Sequence, residues 1–407
     1  MKNTTQQRLP STTLRLAVAV AAAIVIWALT ISAAAAQTLT VLHTFSGEAD
    51  GAQPGVGLTM DAAGNLYGTT SSGGPGRFGT VFKVTHRSSG WEFTTLYSFR
   101  GGADGGTPET RVIFGPDGTF YGATNTGGDQ GCGGYNTGCG VVFNLRPPTS
   151  ACKTAVCYWT ENVIYTFTGD QNTGFPFGDI AFDSHGNLYG GAGLVYELSP
   201  SNGQWTLTAV GNEDLGATGV ALDAAGAIYS TSYPNLVYRL VPSGTGWLEQ
   251  DLFDLNDQMN GYGTGGLTLD HSGNVYGGTS NGGPAGSGTV FELAPENGGW
   301  NFSLLYAFSG MYDFGGPTYN GSMTLDSAGN VYGTAAYDGA YNVGSAFRLS
   351  PSNGSWSYSD LHDFHVNGSD GCYPNNSMVI DSSGNLYGTT GSCGGNPGYG
   401  VVFEITP

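Results

Sequence analysis

The chain has 407 residues, with 12 Lys+Arg against 31 Asp+Glu for a net charge of −19, and 70 of its residues are glycine. Charged residues make up only 11%, where ~25% is usual; this excludes the cationic surfaces that phosphate backbones and anionic membranes require. Aromatic residues at 12%, among them 23 Tyr and 20 Phe, exclude a disordered Gly-rich polymer, which would lack apolar bulk to bury.

At the N-terminus, Lys2, Arg8 and Arg15 precede an apolar run from Leu16 to Ile31, and Ala34-Ala35-Ala36 supplies the small side chains that signal peptidases accept. Residues 1–36 are read as a signal peptide cut after Ala36. The competing reading is a retained anchor, but about 16 apolar residues fall short of the ~20 that a span needs. No later segment is apolar enough to cross a membrane. Cleavage removes three basic residues and no acidic one, leaving 37–407 with a net charge of −22. Six cysteines, an even number, suit disulfides in an oxidising compartment.

Beyond the leader, one phrase recurs: a hydrophobic pair and then D-x-x-G-N-L-Y-G. Its copies are Asp61 to Gly68, Gly115 to Gly122 (degenerate, with Pro116-Asp117-Gly118), Asp183 to Gly190, Asp223 to Ser230, Asp270 to Gly277, Asp326 to Gly333 and Asp381 to Gly388. The period of roughly fifty residues is that of propeller blades. Each copy is followed by G-[TV]-V-[FY]-x-[LV] or a close variant of it, with its aromatic at Phe82, Phe143, Tyr196, Tyr238, Phe291, Phe347 and Phe403. A third phrase opens on Trp and closes on L-Y-x-F, as from Trp91 to Phe99, Trp159 to Phe167 and Trp300 to Phe308; Trp205, Trp247 and Trp356 open weaker copies.

These phrases predict four strands, A to D, per repeat. A–B hairpins fall near 57–70, 111–124, 179–192, 219–232, 266–279, 322–335 and 377–390, with Asp accepting backbone amides in the turn and Gly tolerating positive φ. Alternating apolar and polar residues mark strand C. The last repeat stops at strand C, Val401 to Ile405, whereas Val41-Leu42-His43-Thr44-Phe45-Ser46-Gly47 repeats the strand D phrase of Thr95 to Gly101. Residues 37–47 are therefore predicted to supply strand D of blade seven. The fold class is all-β: a single seven-bladed β-propeller of four-stranded blades over 37–407, its ring closed by the N-terminal strand pairing in the last blade. A lone four-stranded sheet cannot bury both faces, and closure leaves no open edge.

G-L-T-x-D-x-x-G-N-L-Y-G-T-T followed by G-T-V-F-x-[LV], matched almost position by position over 58–84, resembles the GloVer tandem repeat of bacterial exported proteins. The resemblance covers essentially all of 37–407, although the copies at 115 and 223 depart from it. It implies export and, in some members, a C-terminal surface anchor. No anchor follows the last repeat up to Pro407, and no activity is carried over.

In such a ring the D–A and B–C connections share one face, and the A–B and C–D turns share the other. Of 15 pairings open to six cysteines, the local one is Cys132–Cys139 in one B–C loop, Cys152–Cys157 in a C–D loop, and Cys372–Cys393 between a D–A connection and the B–C loop of the same blade. Long B–C loops in blades one, two, five, six and seven place any binding surface on the first face, since function concentrates on loops held by rigid scaffolds. That face also carries D-x-x-x-P at Asp50, Asp104, Asp313 and Asp370, a set of carboxylates that would suit Ca²⁺ as a cofactor but whose spacing ordinary turn chemistry also explains. The six histidines form no metal-type cluster in sequence, and no G-x-S-x-G elbow is present. Phe78, Tyr135, Tyr233, Tyr262, Tyr312, Tyr337, Tyr341 and Tyr399 fall in upper loops, where they would stack on sugars or pack under Gly-rich turns. The expectation is an exported monomer that binds a glycan, peptide or protein, with no nucleic acid as partner and no catalytic residue to name. A polysaccharide-active lyase or hydrolase at the pore mouth and an inert spacer are the alternatives.

Overall fold

The computed structural model describes residues 37–406 apart from 130, 133–136, 149–158, 171–172, 212–216, 233–234, 245, 256–258, 310–315, 318–320, 375 and 396–397. The predicted leader and its cleavage site lie outside the described residues. Within those described there is no helix.

The signature phrase works as a self-contained hydrogen-bonding unit. Asp61 Oδ1 accepts the N–H groups of Ala63 and Asn65, each at 2.9 Å, while Oδ2 accepts Asn65 Nδ2 at 2.7 Å and the Tyr67 hydroxyl at 3.0 Å. Gly64 between them takes φ +79°, a conformation open to a residue without Cβ. The same four bonds recur around Asp183, Asp270, Asp326 and Asp381. In blade four Ala227 replaces the Asn, so Asp223 keeps only the two amides and Tyr229. In the degenerate blade two copy, Asp117 holds Thr119 and Tyr121 instead. Strand A is shorter than the phrase suggests. In blade one only Thr59–Met60 pair with strand B, because Gly57 turns away at φ +71° and Asp61 has already entered the turn.

Blade one runs A (Thr59–Met60), B (Leu66–Thr70), C (Thr80–Arg87) and D (Gly90–Ser98), antiparallel throughout and in that spatial order. The other blades repeat this order, with strand A of blades two and five broken into two short pieces. Blade seven takes A (Val379–Ile380), B (Leu386–Thr390) and C (Val401–Thr406) from the end of the chain and pairs C with Thr38–Thr44. The N-terminal strand shifts register between Val41 and His43, opposite Phe403 and Val402. Strand D of blade one shifts at the equivalent place, opposite Phe82 and Val81. The segment thus has the bulge of a strand D and not merely its sequence.

Seven hydrophobic cores lie between consecutive blades rather than inside them. One joins Tyr67, Leu96 and Phe99 of blade one to Phe120 and Phe143 of blade two; another joins Tyr387 and Val402 of blade seven to Leu58, Phe82 and Val84 of blade one. The strand C aromatic is fully buried in every blade, a contribution of ~2–3 kcal/mol each from apolar burial. This explains the signature's final Gly. A Cβ at Gly68 would lie 2.5 Å from the Phe82 ring, and Gly122, Gly277, Gly333 and Gly388 are confined in the same way by their own strand C Phe. Trp at the start of strand D covers the Tyr of the preceding blade, as for Trp91 with Tyr387 at 5.8 Å and Trp247 with Tyr189 at 6.0 Å.

Candidate functional site

The D–A connections and B–C loops form one face, as their mutual bonds show. Ala52 and Ser72 exchange backbone hydrogen bonds of 2.8 and 3.1 Å. Cys372 is bonded to Cys393 across the same pair of loops in blade seven, with Cα atoms 5.4 Å apart, and Cys132 is bonded to Cys139 in blade two, at 5.5 Å. The expected Cys152–Cys157 pair lies outside the described residues.

The D-x-x-x-P carboxylates are engaged one by one rather than gathered. Asp50 accepts His43 Nε2 at 3.1 Å and the Ser46 N–H at 2.8 Å. Asp104 accepts the Tyr97 hydroxyl and the Arg100 N–H, each at 3.0 Å, and Asp370 lies 2.8 Å from His362 Nε2. Asp313 lies outside the described residues. Each of the three ties the Tyr or His slot of strand D to the following connection. Burial lowers the His43 pKa against the opposing pull of Asp50. Among the described residues no group of three or more His, Cys, Asp or Glu is arranged to hold a metal.

A strained latch joins the loops of neighbouring blades. Gln53, Thr107, Phe175 and Tyr373 each precede a proline, yet their φ values are +60°, +51°, +56° and +56°. L-residues rarely adopt such values, and a residue before proline is normally extended. In each case the N–H is aimed at a carbonyl of the preceding blade's B–C loop: Tyr399, Phe78, Cys139 and Val343 respectively, at 2.7–3.0 Å. The conformation fixes four side chains of varied chemistry at blade junctions.

Among the described residues, large apolar side chains are exposed mainly here. Phe78, Phe175, Met259, Tyr337, Tyr341, Val366 and Tyr399 all sit on this face, against Phe114, Leu248 and Leu304 elsewhere. Phe78 rests over Gly101 and Gly106, and Tyr399 over Gly47, so these two rings both pack on glycine backbone and remain about two-fifths exposed. Tyr262 lies in a short strand and is half-buried; Tyr135, Tyr233 and Tyr312 lie outside the described residues.

At the centre, a cavity of about 530 Å³ is lined by strand A residues of every blade, among them Met60, Arg111, Asp179, Ala221, Leu269, Ser322 and Met378. Arg111 Nε lies 3.1 Å from Asp179 Oδ1 without the alignment of a directed hydrogen bond, so the pair is held by charge. The Ser322 hydroxyl donates to Asp179 Oδ2 at 3.0 Å, from blade six to blade three, and lies 2.8 Å from that of Ser377. This chain of contacts constricts the channel. Glu109 lies two residues before Arg111 in the chain, and burial pushes its carboxyl up to about 7.

Glu109, Arg111, Asp179, Ser322 and Ser377 are absent from the sequence-derived candidates. A signal existed, because the position opening each strand A phrase reads Gly57, Arg111, Asp179, Gly219, Gly266, Ser322 and Ser377. Two opposite charges stand there among small residues. A larger hollow of about 820 Å³ lies on the opposite face, lined by Asp183, His185, Asp223 and Trp247. Asp183 and Asp223 there are bonded within their own turns, and Glu197 of strand C accepts the Ser199 hydroxyl at 2.7 Å.

Family comparison matches the description "Gloeobacter/Verrucomicrobia repeat" over residues 25–233 and 230–407. The chain belongs to that family. No curated protein matches its sequence. Among solved structures, the extracellular domain of a one-component system from B. thetaiotaomicron is 13% identical with a TM-score of 0.55; the match covers 90% of this chain but 40% of that one. A gluconolactonase from Xanthomonas campestris is 14% identical with a TM-score of 0.43, covering 92% of both chains. At such identities the likeness concerns the fold alone, and this repeat protein is a seven-bladed propeller.

Proposed function

We propose that this repeat protein is an exported binding module whose D–A and B–C loop face takes a glycan, peptide or protein. One observation carries the reading: among the described residues, seven of the ten exposed large apolar side chains lie on this face, on loops stiffened by two disulfides and by strained pre-proline residues. Rigid amphipathic rings bind at low entropic cost, and strain that persists through a fold marks places where geometry matters. The disulfides and the apolar leader support export. Glycan and protein arrays probed with the purified protein test this. Binding should be weakened by Phe78→Ala with Tyr399→Ala and unchanged by His185→Ala on the turn face. Silence on both arrays, or the reverse pattern, would remove the proposal.

A second reading, a polysaccharide lyase or hydrolase at the channel mouth, is favoured by Glu109. A buried carboxyl that titrates near 7, two residues along the chain from the Arg111 that lines the channel, is suited to proton transfer at neutral pH. Reducing-sugar or unsaturated-product assays on neutral and acidic polysaccharides test it, with Glu109→Gln as the inactive control. No turnover on any of them would remove it.

A further inference from the structure

The junction of blades six and seven carries four rings on two facing loops. Tyr337 and Tyr341 stand in the B–C loop of blade six, 37% and 52% exposed. His365 and Tyr373 stand in the connection that follows strand D of the same blade. The Tyr337 and Tyr373 rings are 5.1 Å apart and inclined at 48°, an open V; Tyr341 and His365 are 4.2 Å apart, edge to face. The platform is held from several sides. Tyr373 is fixed at φ +56°, its N–H donates to Val343 O at 2.7 Å, and its carbonyl accepts the Gly391 N–H of blade seven at 3.1 Å. Its neighbour Cys372 is bonded to Cys393.

We propose that this junction is a binding subsite for a neutral glycan. The inference rests on the reading of the loop face as a binding surface and names its ligand. Three observations select the class. Two inclined phenol rings offer apolar faces for the C–H side of a pyranose and hydroxyls for its edges. Segments 336–344 and 364–376 contain no Lys or Arg, while Asp338 and Asp370 lie within them and Asp360 and Asp363 end strand D beside them. This negative setting repels uronates and sulfated sugars. The exposed part of the two outer tyrosines amounts to roughly 200 Å², well below the ~800 Å² that one side of a stable protein interface needs and in scale with one or two sugar rings.

Affinity electrophoresis of the purified protein through gels cast with laminarin, galactomannan, xylan or alginate tests the subsite. The expected result is retardation by at least one neutral polysaccharide and none by alginate. Tyr337→Ala and Tyr341→Ala should each weaken that retardation at least tenfold, while His185→Ala on the turn face leaves it unchanged. Matching urea midpoints of all three variants and the parent confirm that the fold is kept. Retardation kept in full by both tyrosine variants but lost with Phe78→Ala and Tyr399→Ala together would overturn this subsite and leave the loop-face reading standing. Capture of a peptide or protein on arrays, with no neutral polysaccharide bound, would overturn the glycan assignment alone. Silence in every format would remove both.

Discussion

Replacing Asp381 probes the signature turn at the seam where the two ends of the chain meet. Its carboxylate accepts the N–H groups of Ser383 and Asn385 at 2.8 and 2.9 Å, Asn385 Nδ2 at 2.9 Å and the Tyr387 hydroxyl at 3.1 Å. The Tyr387 hydroxyl also lies 3.1 Å from Glu404 of strand C, its one proton shared between the two carboxylates, and its ring packs against Trp91 of blade one. A hydrogen bond to a charged acceptor contributes ~1.5–3 kcal/mol when buried, but the turn is solvated and water replaces part of the two backbone bonds. Asp381→Ala should therefore cost about 2–3 kcal/mol. Asp381→Asn keeps Oδ1 for the amides but turns a second donor toward Asn385 Nδ2 and Tyr387, and should cost about half as much. Urea unfolding followed by tryptophan fluorescence reads the difference, because the described tryptophans sit at blade seams; an unchanged slope would show that only stability moved. A loss below ~0.5 kcal/mol, within the range of an ordinary surface substitution, would refute the view that this carboxylate organises the hairpin.

Burial of Asp61, Asp117, Asp183, Asp326 and Asp381 raises their pKa values, but the turn hydrogen bonds outweigh it and hold the carboxyls below the usual range. Their stabilisation is complete above the unfolded value of ~3.9 and lost as pH falls through the native values, so an acid titration of Tm should break below about pH 4, with no such break contradicting the assignment. Glu109 behaves oppositely: raised from 4.5 to about 7, it withdraws stability as pH climbs through that window, by up to ~3 kcal/mol at ~1.4 kcal/mol per unit. Glu109→Gln should accordingly melt higher than the parent at pH 8 and alike at pH 4; equal melting at both would show that the carboxyl is not desolvated. At Gln53, φ +60° disfavours a β-branched side chain, so Gln53→Val should be less stable than Gln53→Gly by ~2 kcal/mol in urea, and equal midpoints would show that the latch is relaxed. Cys372→Ser with Cys393→Ser opens a loop of sequence separation 21 and should lower stability by roughly 3 kcal/mol; an unchanged urea midpoint would mean the loops are held without the bond.

The hairpins were legible because their determinants are local. Asp61 meets partners two, four and six residues on, so one phrase contains the whole hydrogen-bond set. The strand D slot was legible for the same reason, down to His43 and His362 standing where other blades place Tyr. The D-x-x-x-P spacing was visible too, although it left open whether Asp50, Asp104 and Asp370 converge; each instead meets the Tyr or His seven or eight residues before it. The channel was hidden because its residues converge radially: Asp179 and Ser322 are separated by 143 residues and meet only across the ring. The latch was hidden for another reason. Gln, Thr, Phe and Tyr before proline give no hint of left-handed backbone, which is imposed by the neighbouring blade's carbonyl.

Everything assigned to the loop face depends on the first strand being part of the last blade. Amide hydrogen exchange resolved for 38–44 and 401–406 tests this most directly. Paired as Thr38↔Thr406 through Thr44↔Val401, the two segments should be protected together and to the same extent as strands C and D of blade one. Exchange of 38–44 within seconds while 401–406 stays protected would contradict the closed seven-bladed arrangement.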